Sequence, residues 1–499
     1  MRMELKEAAH LQSLGWRLAL TFSVVALLYF DPVPNGNALN ILDLSTSLVD
    51  HGSVELDEHE GGDRAMRNGR MLSGVPPGAS FIAALVYLIT HPLFHLIPEG
   101  ATLPALNALC IVFVNIPAAA LTVYLVYRIA LRWGVSVRNA LLTSGLFAFG
   151  TMHLGYATGF YKNTVAAAIL MSAFWLLACG DDLKLNRAKA WWAGLLCGFA
   201  IGVDYPAAII VLGLGLYLLC LRPGFNAGMI FIVGLGAGLL PMFIYHQIAF
   251  GSPIANAYQY RMSLNYRVGF EFGTLGVPQI RPFISLLAKL LIASPFLVWS
   301  VVGVSRAIRI KERRPIMIMI SAMVLGGMLF VSGFFGYMYH EASFASRHLL
   351  LLLPFAVLPM AFGLPDSLKG WPLYVITWSI CATFLAAQAV MIPWNTVAPV
   401  YALKVLATSW GTGPLFSDAL ASWWGIHALH HAVMHEGVTI RFLVDPGNRD
   451  TLISLLLGQG VIKLISLLVT AVAAALLWRF TWRPVFAPEK GIHSCARSD

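Results

Sequence analysis

Apolar runs of about 17 to 25 residues recur from one end of this chain to the other, and runs of that length match the hydrocarbon core of a bilayer. Hydrophobic residues make up 58% of the sequence and charged residues only 11%, with a mean hydropathy of +0.74. No stretch is left for a large soluble domain. The expected fold is an all-α polytopic membrane protein. Runs near 18–34, 104–130, 139–158, 164–180, 191–203, 206–221, 227–249, 284–305, 315–333, 349–364, 372–392 and 452–478 predict a bundle of about 12 transmembrane helices.

Lysine and arginine accumulate on the cytoplasmic side of membrane proteins, so their distribution orients the bundle. With the N-terminus inside, 20 of the 33 fall in inner segments, including Arg128, Arg132, Arg138, Arg306 and Arg314. Both termini are then expected inside. The net charge of +9 follows from this asymmetry and from contact with anionic lipid headgroups, so membrane lipids are expected partners and nucleic acid is not. The first span lacks a small-residue cleavage site and runs into Asp31-Pro32, as an uncleaved anchor does. The six cysteines lie in spans or in the inner tail and suggest no disulfide framework.

The organisation expected is an inner N-terminus (1–17), a membrane core (18–392) with a large first outer loop (35–98), a second outer loop (393–450), and a last span with an inner tail (451–499). The first outer loop gathers Asp43, Asp50, Glu55, Asp57, Glu58, Glu60 and Asp63. A bilayer does not tolerate such a cluster, so it must face water or a water-filled cavity. Asn40, Asp43, Ser47 and Asp50 fall on one helical stripe, beside Ile41, Leu44 and Leu48. That spacing predicts an interfacial amphipathic helix ended by Gly52. A polar turn from His51 to Gly69 follows, then Ser73-Gly-Val-Pro-Pro-Gly78, where the prolines open the next element. Ala79 to Ile97 is apolar enough to span. A span there would place Arg128, Arg132 and Arg138 outside, so the segment is expected to dip into the outer leaflet and pack on the bundle.

Five pieces in order carry a resemblance: Asn37…Leu48-Val-Asp-His-Gly52…Asp57…Asp63-Arg-Ala…Gly69-Arg70…Ser73…Pro77-Gly78; Phe149-Gly150-Thr151…Tyr156 to Tyr161; Asp204-Tyr205-Pro206; Phe250-Gly251-Ser252-Pro253…Tyr258; and Ser343-Phe344…Arg347-His348-Leu349. Together they resemble bacterial GT-C-type glycosyltransferases, the superfamily of protein O-mannosyltransferases and of the lipid A aminoarabinose transferase. The chain departs from the pattern at Asn37-Ala38 and Asn40-Ile41, where many relatives have an acid or a polar-Arg pair. It departs again at Asn163 and Val75, where relatives often have His and Lys, and at Ala345-Ser346, where they have Gly-Pro.

The resemblance implies transfer of a sugar from a polyprenyl phosphate to an envelope glycan, lipid or protein on the outer face of the bacterial inner membrane, with inversion. Such chemistry needs a carboxylate as general base and cations for the leaving phosphate. The expected base is among Asp63, Asp57 and Asp43. The first two match the resemblance, and Asp43 sits on the polar stripe. Arg347, Lys162, Arg281 and Lys289 are the candidate phosphate cations. Asp204, Tyr205, Arg70, Tyr258 and Glu341 are candidate cavity residues. An Asp such as Asp204 within an apolar run costs about 2.5 to 3.5 kcal/mol and should face a cavity or a partner.

No soluble cofactor is implied. His427, His431 and His435 are spaced i, i+4, i+8 beside Trp423-Trp424 in the second outer loop, a spacing that fits an interfacial helix and also fits metal ligands. Some relatives hold a divalent ion, which keeps a metal in view. Lys463, in the last span, has no assigned role. No Walker loop, G-x-S-x-G or H-E-x-x-H is present, so an ATP-driven pump, a serine hydrolase and a zinc protease are unsupported. Gly213, Gly215, Gly234, Gly236 and Gly238 are expected on close-packed helix faces. The alternative function is a transporter or flippase of lipid-linked saccharides. Transporters commonly show matched halves, and the acidic loop has no counterpart in the second half.

Overall fold

The computed structural model describes residues 2–28, 34, 36–56, 63–95, 102–178, 187–221, 225–262, 277–278, 280–334, 347–389 and 479. Among these the chain is helical apart from one two-stranded hairpin. The second outer loop with its histidines, and the last span with Lys463, lie outside the described residues.

Helix α1 (Arg2–Leu28) leads to α2 (Gly36–Asp50), then to β1 (Arg64–Arg67) and β2 (Arg70–Ser73). Helix α3 (Gly78–Phe94) precedes α4 (Thr102–Cys110), which continues through a π-helical turn (Ile111–Asn115) into α5 (Ile116–Arg132). Next come α6 (Val137–Gly150), α7 (His153–Ala157), α8 (Lys162–Ala178), α9 (Arg187–Val203), α10 (Ala207–Leu221) and α11 (Phe225–Phe250). The remainder is α12 (Ile280–Ala293), α13 (Val298–Ala307), α14 (Arg314–Phe334), α15 (Leu353–Val357), α16 (Met360–Gly363) and α17 (Trp371–Ala389).

Three of these helical runs, Thr102–Arg132, Asn226–Phe250 and Arg314–Gly333, are long and apolar enough to cross a membrane, and the chain is a membrane protein. Shorter apolar helices, Gly78–Phe94 among them, pack around these. Three expected spans are interrupted. The run near 139–158 breaks at Thr151, whose hydroxyl donates to Phe147 O (2.6 Å) and accepts from His153 N (3.2 Å). The run near 284–305 breaks at Ser294, whose hydroxyl donates to Gly150 O (2.7 Å). The run near 349–364 breaks at Leu358-Pro359, between α15 and α16. Serine and threonine hydroxyls satisfy the main-chain groups freed by such breaks, as a non-aqueous surround requires.

Two expectations for the first loop change. The stripe of Asn40, Asp43 and Ser47 is buried, because α2 is covered by α3 and the hairpin instead of lying open to water. The polar turn after His51 contains the β-hairpin: Asn68 (φ 51°) and Gly69 (φ 79°) form a two-residue turn with Arg67 opposite Arg70, a combination that Asn-Gly favours. The inner face of the hairpin, Ala65 and Leu72, packs with Leu44, Tyr245, Phe250 and Ala257 in a small core apart from the main membrane core.

Helix α9 begins at the basic pair Arg187 and Lys189 and ends beside Asp204, while α8 starts at Lys162 and runs the other way. At the basic end, Arg138 and Arg306 donate to Pro365 O (3.5 Å) and Phe362 O (3.1 Å). Helices α9 and α11 touch main chain to main chain. A Cβ on Gly194, Gly198, Gly234 or Gly238 would fall on the carbonyl oxygen of Phe231, Leu235, Trp191 or Leu195 respectively, whereas Gly236 faces open space. Gly198→Ala is therefore expected to lower thermal stability in detergent by about 1 to 3 kcal/mol of overpacking despite the better helix former, with Gly236→Ala unchanged or slightly raised. Equal melting temperatures for the two variants would contradict this packing.

Candidate active site

Gly74 brings the acidic loop to the segment after α11. Its N–H donates to Asp63 O (2.9 Å), and its carbonyl accepts from Arg261 Nε (2.8 Å). A side chain on Gly74 would fall on that Asp63 oxygen and on the Arg261 side chain, so only glycine fits. Met262 N donates to Arg64 O (2.9 Å), and Ala65 bridges Arg261, which makes residues 261–262 a short third edge on the hairpin.

This frame points Arg261 Nη1 at Asp63 Oδ1 (3.0 Å), while Asn37 Nδ2 donates to Asp63 Oδ2 (2.8 Å). The Arg261 guanidinium also lies over the Tyr258 ring, 4.5 Å from its centroid, an attraction strengthened by burial. At the same ring, Lys162 at the head of α8 reaches the Tyr258 hydroxyl (3.4 Å) and pairs with Asp204 Oδ1 (3.1 Å). Asn163 Nδ2 donates to Asp204 Oδ2 (2.6 Å). Two ion pairs thus meet at one buried tyrosine. Both Asp204 and Lys162 are more than nine-tenths buried. Charges so buried persist only when paired and hydrogen-bonded, and removing one partner costs about 3 to 5 kcal/mol.

Next to the Asp204 turn, Tyr205 and His246 lock the same segment from below. His246 Nδ1 lies 3.3 Å from Pro253 O and Nε2 lies 2.9 Å from Tyr205 OH. A carbonyl only accepts, so Nδ1 carries the proton and Tyr205 OH donates to Nε2. The Tyr205 ring meets Tyr258 edge to face at 5.2 Å.

Burial pushes the Asp63 carboxyl up, but the Arg261 charge, then Arg347, the Asn37 amide and Lys162 outweigh it and hold the group below its ordinary value. Asp63 is therefore a carboxylate at neutral pH, in the field of three cations.

Of the residues singled out in the sequence, Asp63, Lys162, Asp204, Tyr205 and Tyr258 come together, with Arg347 in electrostatic reach of Asp63. Asp43 is buried within α2. Arg70 stands at the tip of the hairpin, paired with Glu55 at 2.5 Å and partly exposed, because the register puts Arg70 three positions from the Ser73 end where Asp63 lies. It does not join the cluster. Arg281 and Lys289 fall on α12 with side chains outside the described residues, as Asp57 and Glu341 are altogether. Sequence reasoning missed Arg261, His246 and the role of Gly74; it gave Asn37 as a motif position with no role at the site, and Asn163 only as a departure from a pattern. The available signal for Arg261 was its position three residues after Tyr258 in a quoted motif. Among the described residues no three His, Cys, Asp or Glu side chains converge to hold a metal.

The sign of the pH dependence follows from the lowered carboxyl. Its contribution to holding the loop is complete above the unfolded-state value of about 3.9 and is lost as pH falls through the lower folded-state value. Arg261→Met removes the largest of the opposing charges, so Asp63 should titrate higher than in the parent chain. Thermal unfolding followed from pH 7 to pH 3 should show the variant losing stability at a higher pH, and coincident acid profiles would remove Arg261 as the cause.

A comparison with protein families finds no match, and a search of curated proteins finds none. Among solved structures the chain is similar to ArnT from Cupriavidus metallidurans bound to undecaprenyl phosphate, with 14% identity and a TM-score of 0.48 over 93% of this chain and 76% of that one. The apo state of the same protein gives 15% identity and a TM-score of 0.45, covering 96% and 78%. The archaeal oligosaccharyltransferase AglB from Archaeoglobus fulgidus, in complex with an inhibitory peptide and a dolichol-phosphate, gives 12% identity and a TM-score of 0.36, covering 82% and 56%.

Proposed function

We propose that this chain is a GT-C-type membrane glycosyltransferase that moves a sugar from a polyprenyl-phosphate donor to an envelope glycan, lipid or protein acceptor. In this reading the site faces the exterior of a bacterial inner membrane and both termini are cytoplasmic. The observation that carries the reading is the convergence, at one end of a helical membrane bundle, of an ionised Asp63 with Arg261, Lys162 and Arg347. The ordered sequence motifs support the same reaction class.

The roles follow from charge. Arg261 offers a planar fork suited to two phosphate oxygens, and Lys162 adds a compact charge beside the Tyr258 hydroxyl. A donor phosphate arriving here competes with Asp63 for Arg261. Losing part of that cation raises the basicity of Asp63 when an acceptor hydroxyl is alongside. Asp63 takes the hydroxyl proton, the hydroxyl oxygen bonds to the anomeric carbon, and the carbon–oxygen bond to phosphate breaks with its electron pair going to the phosphate. The configuration inverts. Asp204, held by Lys162 and Asn163, keeps the lysine charge aimed at the site. No soluble cofactor enters this scheme.

Purified protein in nanodiscs, given radiolabelled polyprenyl-phosphate sugars and an envelope-lipid extract, is expected to transfer label. Asp63→Asn should cut the rate by about 10² to 10⁴, the usual worth of a general base. Donor binding without transfer to any acceptor, together with translocation of the donor in liposomes, would replace this reading with the transporter.

A further inference from the structure

The longest apolar helical run, Thr102–Arg132, contains a π-helical turn ending in Asn115, a fully buried amide about 20 Å along the run at 1.5 Å per residue. Such turns inside a helix cluster at functional sites. The two N–H groups of Asn115 Nδ2 are shared among Tyr156 O (2.9 Å), Ala157 O (3.1 Å) and Gly159 O (2.5 Å), one of them bifurcated. The Oδ1 atom is buried without a partner among the described residues, and reversing the amide would set that oxygen against three carbonyl oxygens. The amide is committed to donation.

Those three carbonyls belong to the end of α7 and the irregular turn after it, where the helical ladder leaves acceptors unmet. Within a membrane protein such a turn needs internal donors. Thr164 Oγ1 supplies a second one to Tyr156 O (3.1 Å), and the Tyr161 ring closes over Gly159 and meets Tyr156 edge to face at 4.9 Å. The next residue is Lys162. The direction in which Lys162 leaves the head of α8, toward Asp204 and Tyr258, is therefore set by a turn that Asn115 holds.

We propose that Asn115 is a positioning residue for Lys162, acting through the 156–161 turn. The activity arm of its test rests on the function proposed above; the labelling arm does not. Asn115→Leu keeps the volume and removes the donors. Asn115→Gln keeps an amide at altered reach and covers the case in which the leucine variant fails to fold.

Reductive methylation read by mass spectrometry, with Lys369 as the internal reference, should show Lys162 modified at least about threefold faster in either folded variant, because the pair with Asp204 is loosened. In the transfer assay each variant should lose about tenfold, and on a Lys162→Met background it should lose nothing further, the non-additivity expected of residues acting through one contact. Unchanged Lys162 labelling in a folded variant overturns the proposal, and so do losses that multiply in the double variant. If the parent chain transfers no sugar, the proposed function fails while the labelling still decides the role of Asn115.

Discussion

Arg261 carries the constraint on which the hairpin and the acidic loop depend. Its main chain extends the hairpin, its Nε holds Gly74, its Nη1 neutralises Asp63, and its guanidinium covers Tyr258. A lone guanidinium or carboxylate buried at this depth would cost several kcal/mol, so neither group is stable there without the other. The acidic loop is docked by this pair, and the rest of the cluster is arranged around a position the pair has already fixed.

Several polar groups drawn into the bundle answer the same demand. A bilayer offers no hydrogen bonds, so main-chain groups freed by a break in a helix are met by side chains. Thr151 does this after α6, Ser294 before α13, and Asn115 beneath α7. Of these, the turn that Asn115 holds leads directly into Lys162.

The sequence was most legible where hydropathy decides. The apolar runs correspond to helical regions in each described stretch, since twenty apolar residues in lipid have few alternatives. The motif residues Asp63, Asp204 and Tyr258 and the candidate cation Lys162 did meet. Arg261 was overlooked because its importance comes from long-range pairing with a loop nearly two hundred residues earlier, which no local pattern encodes. The hairpin was read as a turn although Asn68-Gly69 is a strong local cue, because the charged residues around it masked the alternation of Ala65 and Leu72 with exposed neighbours. The polar stripe of α2 looked like a water-facing surface. It is buried because α3 and the hairpin cover it, a tertiary effect invisible to periodicity.

The glycine contact between α9 and α11 bears on motion. Four glycines of this seam each face a carbonyl oxygen of the other helix, so the two helices cannot slide or part without losing these contacts together. Asp204 at the end of α9 and His246 near the end of α11 are therefore held at a fixed distance by the seam behind them. The hairpin side is tied to the same pair of helices, through the Asp63–Arg261 ion pair, the small apolar core that Tyr245 and Phe250 share with the hairpin, and Gly78 of α3 against Gly202 of α9.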